Sequence, residues 1–335
     1  MSSNPYSQDQ IQSNFAILGF GSIGRRHLAS INKICPMSTV GVLTSQKIDQ
    51  RQYGTNVTRH ETIDSVLQTQ PDYAVVATSA ALHGEYLDAL VAKSCKVLIE
   101  KPVAATFEQA ERIRKAATSV KLPPLVAYNI RFSRALGVVH DALARCLIGN
   151  VHVVHAVVGQ DLAQWRPGRE LAETVSASQK NGGGVLRELS HELDYLCNLF
   201  GEIRSASAML SRQKFINFDV EDTALMHLRF GTEARKILAS VNLDFIRKDP
   251  CRYCHIIGSE GTLRWDLLAG RVTRCGKVEA DEELYSDPLD LVQTNEVMWH
   301  KLLDGQYEKF TTIDEAAQYL HWIEVMEAGW ASASA

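Results

Sequence analysis

The sequence predicts an α/β domain built on a doubly wound parallel sheet, followed by an α+β domain with one large, mostly antiparallel open sheet. Three observations predict it. Through the first third, short continuous apolar runs alternate with amphipathic helical stretches, the pattern of parallel strands covered on both faces. After about residue 130, β-branched runs follow one another with few helices between them. A glycine-spaced turn, Gly19-Phe20-Gly21-Ser22-Ile23-Gly24, stands where the first strand meets the first helix.

The elements follow in order. Phe15–Leu18 is an apolar run ending at Gly19, and Ile23, Leu28 and Ile31 lie at helical spacing behind it. Val40–Leu43 is the next strand, and Thr62 caps a helix running to about Leu67. Pro71-Asp72 introduces a third strand, Tyr73–Ala77, and Leu87, Leu90 and Val91 mark a helix over 84–93. Lys96–Ile99 is a fourth strand, Thr106-x-x-Gln109 opens a helix as a capping box, and Leu125–Tyr128 is a fifth strand. Then the rhythm changes. A helix over 135–147 precedes the long run Val151–Val158, and another helix spans Val185–Leu199. The strands Ser205–Leu210, Ala224–Phe230, Lys236–Asp244, Arg252–Ile257 and Thr262–Asp266 follow, and helices near Asp290–Leu303 and Asp314–Ala331 end the chain. This divides the sequence into a polar tail over 1–13, a dinucleotide-type domain over 14–128 and a substrate-binding and oligomerisation domain over 129–335. An open sheet of that size needs a cover on its outer face, which predicts a homodimer or homotetramer through the second domain.

Bulk properties narrow the function. The 335 residues are 45% hydrophobic and 22% charged with a formal net charge of −4, ordinary for a globular protein and without a basic stripe for nucleic acid. No apolar run approaches the ~20 residues that span a bilayer. Met1–Ser13 has no apolar segment of the secretory kind. The seven cysteines are odd in number and scattered, which predicts reduced thiols and a cytoplasmic protein. Cys251-x-x-Cys254 has half a zinc spacing, but no second pair stands near it and the segment reads as strand, so no metal is expected.

In the glycine turn, the first glycine allows the tight bend, the second lets the backbone approach a pyrophosphate, and the third lets helix and strand pack closely. The helix N-terminus then offers free N–H groups to the anion. Set between a strand and a helix, this is the Rossmann-type dinucleotide fingerprint. An acid at the end of the second strand would hold the adenosine ribose. Here the position reads Thr44-Ser45-Gln46-Lys47, with Arg25 just past the third glycine. Thr44, Ser45 and Lys47 could bind a 2′-phosphate that no carboxylate repels, so NADP is favoured over NAD.

The fourth strand ends in Glu100-Lys101-Pro102, at the carboxyl edge where α/β sheets place chemistry. With the glycine turn, Thr78-Ser79 and His83 after the third strand, Gly182-Gly-Gly184 leading to His191 and Asp194, and Gly258-Ser-Glu-Gly261-Thr, this resembles the Gfo/Idh/MocA oxidoreductases, the glucose–fructose oxidoreductase and inositol dehydrogenase group. The resemblance runs from about residue 14 to 325. It implies that Thr78, Ser79, His83, Glu100, Lys101 and Pro102 line the dinucleotide, that the bond before Pro102 is cis, and that the reaction moves a hydride between nicotinamide and a sugar carbon.

Alcohol oxidation removes a hydride from carbon and a proton from oxygen, and some side chain must handle the proton at working pH. A lysine near its ordinary ~10.4 is too basic, but burial beside a cationic ring lowers it. Lys101 is therefore the main acid/base candidate. Glu100 orients the loop. Glu188, His191 and Asp194 share one helical face. The resemblance makes His191 a partner of Lys101 and expects an aspartate four residues before it. Arg187 holds that place, so Glu188, three before, is the third catalytic candidate.

Asn129 and Arg131 follow the fifth strand, where the family contacts substrate, and Gln160, Trp165 and Arg166 follow a strand of the second domain. Tryptophan offers a flat face to a sugar ring and arginine a fork for an anion. Lys101, Asn129, Arg131, Gln160, Trp165, Arg166 and His191 thus form the candidate substrate set, for a nucleotide-linked or otherwise anionic sugar of the kind used in surface polysaccharides. Two other readings are an oxidation-assisted glycosidase and a non-catalytic dinucleotide-sensing regulator of the same fold. The presence of both Lys101 and His191 favours the enzyme.

Overall fold

Phe15, Ala16, Ile17 and Leu18 are each at most 1% exposed, because the strand they form lies mid-sheet with neighbours on both edges and helices on both faces. The computed structural model of the chain describes residues 12–333 apart from 119, 166, 167, 169, 216 and 277–279. The expected tail over 1–13 lies almost wholly outside the described residues. The first sheet contains β1 (Asn14–Leu18), β2 (Thr39–Leu43), β3 (Val57–His60), β4 (Tyr73–Val76), β5 (Lys96–Ile99) and β6 (Leu125–Val126), all parallel, in the order β3-β2-β1-β4-β5-β6. The order reverses beside β1, so the crevice at its carboxyl end is the switch point where such sheets bind ligands. The strand β3 was not expected. As the edge strand it buries only Val57 completely and reads as a polar segment.

The helix caps follow local chemistry. Thr62 Oγ1 accepts the Ser65 amide at 3.2 Å. Thr106 Oγ1 accepts the Gln109 amide at 3.2 Å while Gln109 Oε1 accepts the Ala105 amide at 3.1 Å.

The second sheet contains β7 (Val151–Gly159), β8 (Ser205–Ser211), β9 (Thr223–Gly231), β10 (Lys236–Asp244), β11 (Cys251–Gly258), β12 (Thr262–Asp266), β13 (Arg271–Cys275) and β14 (Glu282–Ser286), in the order β14-β13-β12-β11-β7-β10-β9-β8. Every pairing is antiparallel except β7 with β10. The sequence gives no clear apolar alternation for β13 and β14, which also went unexpected. Side chains alternate: in β9, Ala224, Met226, Leu228 and Phe230 are buried against the helical layer while Leu225 and His227 face outward. The outer face leaves Met209 71%, Leu238 55% and Leu225 42% exposed.

Two departures shape the site. The single helix expected over Val185–Leu199 is broken into Val185–Glu188 and His191–Phe200, with the Ser190 hydroxyl donating to the Arg187 carbonyl at the break. The C-terminal part also returns to the first domain. Helix Asp290–Leu303 packs on helix Ser22–Ile34, and β15 (Thr311–Thr312) extends the first sheet antiparallel to β6. The division at residue 128 is therefore a boundary in sequence that the packing crosses. No helix among the described residues is long and apolar enough to cross a membrane.

Candidate active site

The glycine turn has the shape its spacing implies. Gly19 sits at φ +97°, and a Cβ there would lie 2.6 Å from the Ala77 carbonyl oxygen. A Cβ on Gly24 would lie 2.1 Å from the Gly19 carbonyl oxygen, whereas a Cβ on Gly21 would meet nothing within 4 Å. The outer two glycines thus serve packing, and Gly21 leaves open space before the amides of Ser22 and Ile23. No side chain caps this 13-residue helix, and no acid stands in its first turn. Its N-terminus fits a pyrophosphate. At the end of β2, Arg25 Nη2 donates to Gln46 Oε1 at 2.7 Å, and Arg59 of β3 donates to the carbonyls of Thr44 and Ser45 at 3.2 and 3.3 Å. Arg59, which also pairs with Glu61 at 2.7 Å, is a residue beside the end of β2 that sequence spacing missed, because only the pairing of β2 with β3 brings it there.

Beyond β5 the Lys101–Pro102 bond is cis. Lys101 Nζ donates to the Glu188 carbonyl at 2.5 Å, so the end of the first sheet meets the helix break of the second domain. The Glu188 carboxylate has a partner of its own. Both its oxygens accept the buried Ser176 hydroxyl, at 2.9 and 3.0 Å. Ser176 had no sequence signal.

His191 opens the helix after the break, edge-on to Tyr128 with ring centroids 5.5 Å apart and planes at 90°. Its Nδ1 is buried with no hydrogen-bond partner among the described residues. Burial first, then the charges of Lys101, Arg252 and Arg26, push its pKa well below the ordinary value, so the imidazole is neutral at working pH. Arg252, on β11, pairs with both carboxylate oxygens of Glu192 at 2.9 Å. Neither Arg26 nor Arg252 was legible as a site residue, since their convergence comes from the docking of the two domains.

Several expected site residues are engaged elsewhere. Arg131 turns inward: its side chain is 5% exposed, Nε lies 3.0 Å from both oxygens of Asp194, and Nη2 meets Glu315 at 2.9 Å. Its fork joins three elements. His83 is buried between the carbonyls of Thr78 and Val103, each 3.2 Å away, and burial lowers its pKa. It braces the loops at the ends of β4 and β5 from behind. Asn129 donates to Thr294 at 2.7 Å. Gln160 and Trp165 lie at the carboxyl end of β7, Trp165 against Phe245 with centroids 6.0 Å apart. Arg166 lies outside the described residues. Cys254 is buried in the core, while Cys251 receives Arg247 Nη1 at 2.6 Å. A cavity of about 370 Å³ lined by Lys96, Leu122, Pro124, Leu302 and Tyr307 opens at the opposite edge of the first sheet and shares no residue with this site.

Known proteins match this architecture. The model of an oxidoreductase family with an NAD-binding Rossmann fold, Gfo/Idh/MocA, matches residues 13–128, and the model of the Gfo/Idh/MocA C-terminal domain matches residues 138–264. Among relatives, the 1,5-anhydro-D-fructose reductase of Ensifer adhaerens is 24% identical over 89% of this chain and 90% of its own. A putative UDP-kanosamine synthase oxidoreductase subunit of Amycolatopsis mediterranei is 24% identical over 70% of this chain and 65% of its own. Among solved structures, levoglucosan dehydrogenase in complex with NADH and levoglucosan superposes with a TM-score of 0.82 at 17% identity, over 96% of this chain and 97% of the other. The WlbA dehydrogenase from Bordetella pertussis, in complex with NADH and UDP-GlcNAcA, gives a TM-score of 0.77 at 20% identity over the same shares, 96% and 97%. At these identities the structures establish the fold.

Proposed function

Because the chain belongs to the Gfo/Idh/MocA family of NAD-binding oxidoreductases, we propose that it transfers a hydride between nicotinamide and a sugar hydroxyl or ketone, with Lys101 as the acid/base. The nicotinamide, when bound, supplies the hydride acceptor or donor. The turn from Gly19 to Gly24 holds the pyrophosphate through its backbone amides and helix end. Lys101 takes the hydroxyl proton during oxidation and returns it during reduction. His191, neutral and with Nδ1 unpartnered, hydrogen-bonds the reacting oxygen and keeps no charge of its own beside the ammonium. Glu188 holds the lysine through its carbonyl.

One observation carries this reading: Lys101 Nζ is tied to Glu188 three residues before His191, so the two candidate proton-handling groups come together at the domain junction. Lys101→Ala, assayed with NAD⁺ and NADP⁺ against sugars, sugar phosphates and nucleotide sugars, is expected to lose ~10²-fold or more in turnover while dinucleotide affinity stays nearly intact. Unchanged turnover removes the lysine from the mechanism.

The finer parts of the proposal have separate support. The charges of Lys101 and Arg26 both bear on His191, which supports an anionic or nucleotide-linked sugar, the kind of ligand that WlbA carries. Arg25, Lys47 and Arg59 about the end of β2 support NADP. Three exposed apolar side chains on the outer face of the second sheet, Met209, Leu225 and Leu238, support a homo-oligomer.

A further inference from the structure

Three hydrogen bonds, the first buried and the other two partly so, connect helix Asp290–Leu303 to the Lys101 loop. Trp299 Nε1 donates to His27 Nδ1 at 3.0 Å, His27 Nε2 lies 2.8 Å from Glu100 Oε1, and Glu100 Oε2 accepts the Lys101 amide at 3.1 Å. His27 is 0% and Trp299 1% exposed. The direction of this chain is set by its donors. An indole N–H can only donate, so His27 Nδ1 is the acceptor and the ring proton sits on Nε2, aimed at Glu100. On its other side the indole meets the Phe15 ring edge-on, with centroids 5.7 Å apart. Glu100 therefore receives an N–H on each oxygen. Burial pushes its pKa up, while the His27 hydrogen bond, the Lys101 charge and the Lys101 amide pull it down, and the carboxyl lies below the usual range.

We propose that Trp299 and His27 are positioning residues for the acid/base lysine: the indole selects the histidine tautomer that holds Glu100 as an oriented anion against the Lys101 amide. This rests on Lys101 being the acid/base group. No proton moves along the chain. Its work is to fix a negative charge beside the lysine. A segment near the C-terminus thereby sets the environment of a group in the first domain.

The test needs no sugar substrate. In full-length protein labelled with ¹⁵N-histidine, His27 is assigned by its loss in His27→Gln. The expected spectrum shows Nε2 in the protonated range and Nδ1 in the unprotonated range. The opposite tautomer, or a mixture, overturns the proposal. Lys101 is read by reductive ¹³C-methylation and assigned with Lys101→Arg. Trp299→Phe keeps an aromatic ring and removes the donor. In it Nδ1 loses the donor that keeps it unprotonated, so its signal should move toward the protonated range, and the Lys101 titration midpoint should move to lower pH as a protonated His27 offsets the Glu100 charge. A Lys101 midpoint that stays put overturns the positioning role. If Trp299→Phe does not fold, Glu100→Gln removes the charge directly, with the same shift expected and the same result overturning. These signals do not depend on turnover. A Lys101→Ala variant of full activity would sink the acid/base reading and leave them as they are.

Discussion

Arg131 Nε stands 3.0 Å from both carboxylate oxygens of Asp194, a side chain with no exposed surface. Burial works against the guanidinium charge, but Asp194, Tyr319 and Glu315 outweigh it and raise the Arg131 pKa. Removing one partner of such a pair leaves a buried charge uncompensated. Arg131→Met should cost about 3–5 kcal/mol of stability, read by urea unfolding. Near-wild-type stability combined with a large rise in KM for a sugar would return Arg131 to the cleft.

The end of β2 should discriminate between dinucleotides. Arg25 lies over the Phe20 ring, 5.2 Å from its centroid, and donates to Gln46 Oε1. By fluorescence titration NADPH is expected to bind more tightly than NADH. Arg25→Ala should weaken NADPH about tenfold, the worth of ~1.4 kcal/mol, and leave NADH nearly unchanged. Equal affinities, or a preference for NADH, refute the assignment.

The outer face of the second sheet should be an interface. Met209, Leu225 and Leu238 stand on adjacent strands with their side chains outward. The protein should scatter light as a dimer or tetramer at micromolar concentration. Leu238→Glu, at 55% exposure and so harmless to the core, should shift it to monomer. A monomeric wild type contradicts the expectation.

Glu221 should make stability fall as pH rises. Burial pushes its pKa up to about 7 against the opposing hydrogen bond from the Leu186 amide. Unfolded, a glutamate titrates near ~4.3. Between these values the folded chain holds a proton that the unfolded chain has released, so this group's contribution is full below the lower pKa and lost through the upper one. Urea midpoints at about pH 5.5 and about pH 8 should fall more in wild type than in Glu221→Gln, which stays neutral throughout. Equal falls would show that the group does not titrate in this window.

The structure divides what was legible from what was not by distance along the chain. The glycine turn, the threonine caps and the buried strands were readable because each depends on neighbours a few residues away. Gly19 needs its positive φ, Thr106 reaches Gln109, and an all-apolar run marks a strand covered twice. The edge strand β3 escaped because an edge asks little of its side chains, and the break before His191 because a continuous apolar stripe reads as one helix. The Lys101 position was legible as the end of a buried strand.

Sequence alone determined the alternating first domain, the strand-rich second, the dinucleotide turn and the residue types for proton transfer, since backbone preference and side-chain periodicity act locally. Tertiary structure decided which polar groups meet. Arg131 and Asp194 are 63 residues apart, Lys101 and Glu188 87, His27 and Trp299 272. A buried charge or N–H must find a partner wherever packing offers one, and no spacing rule says which partner that will be.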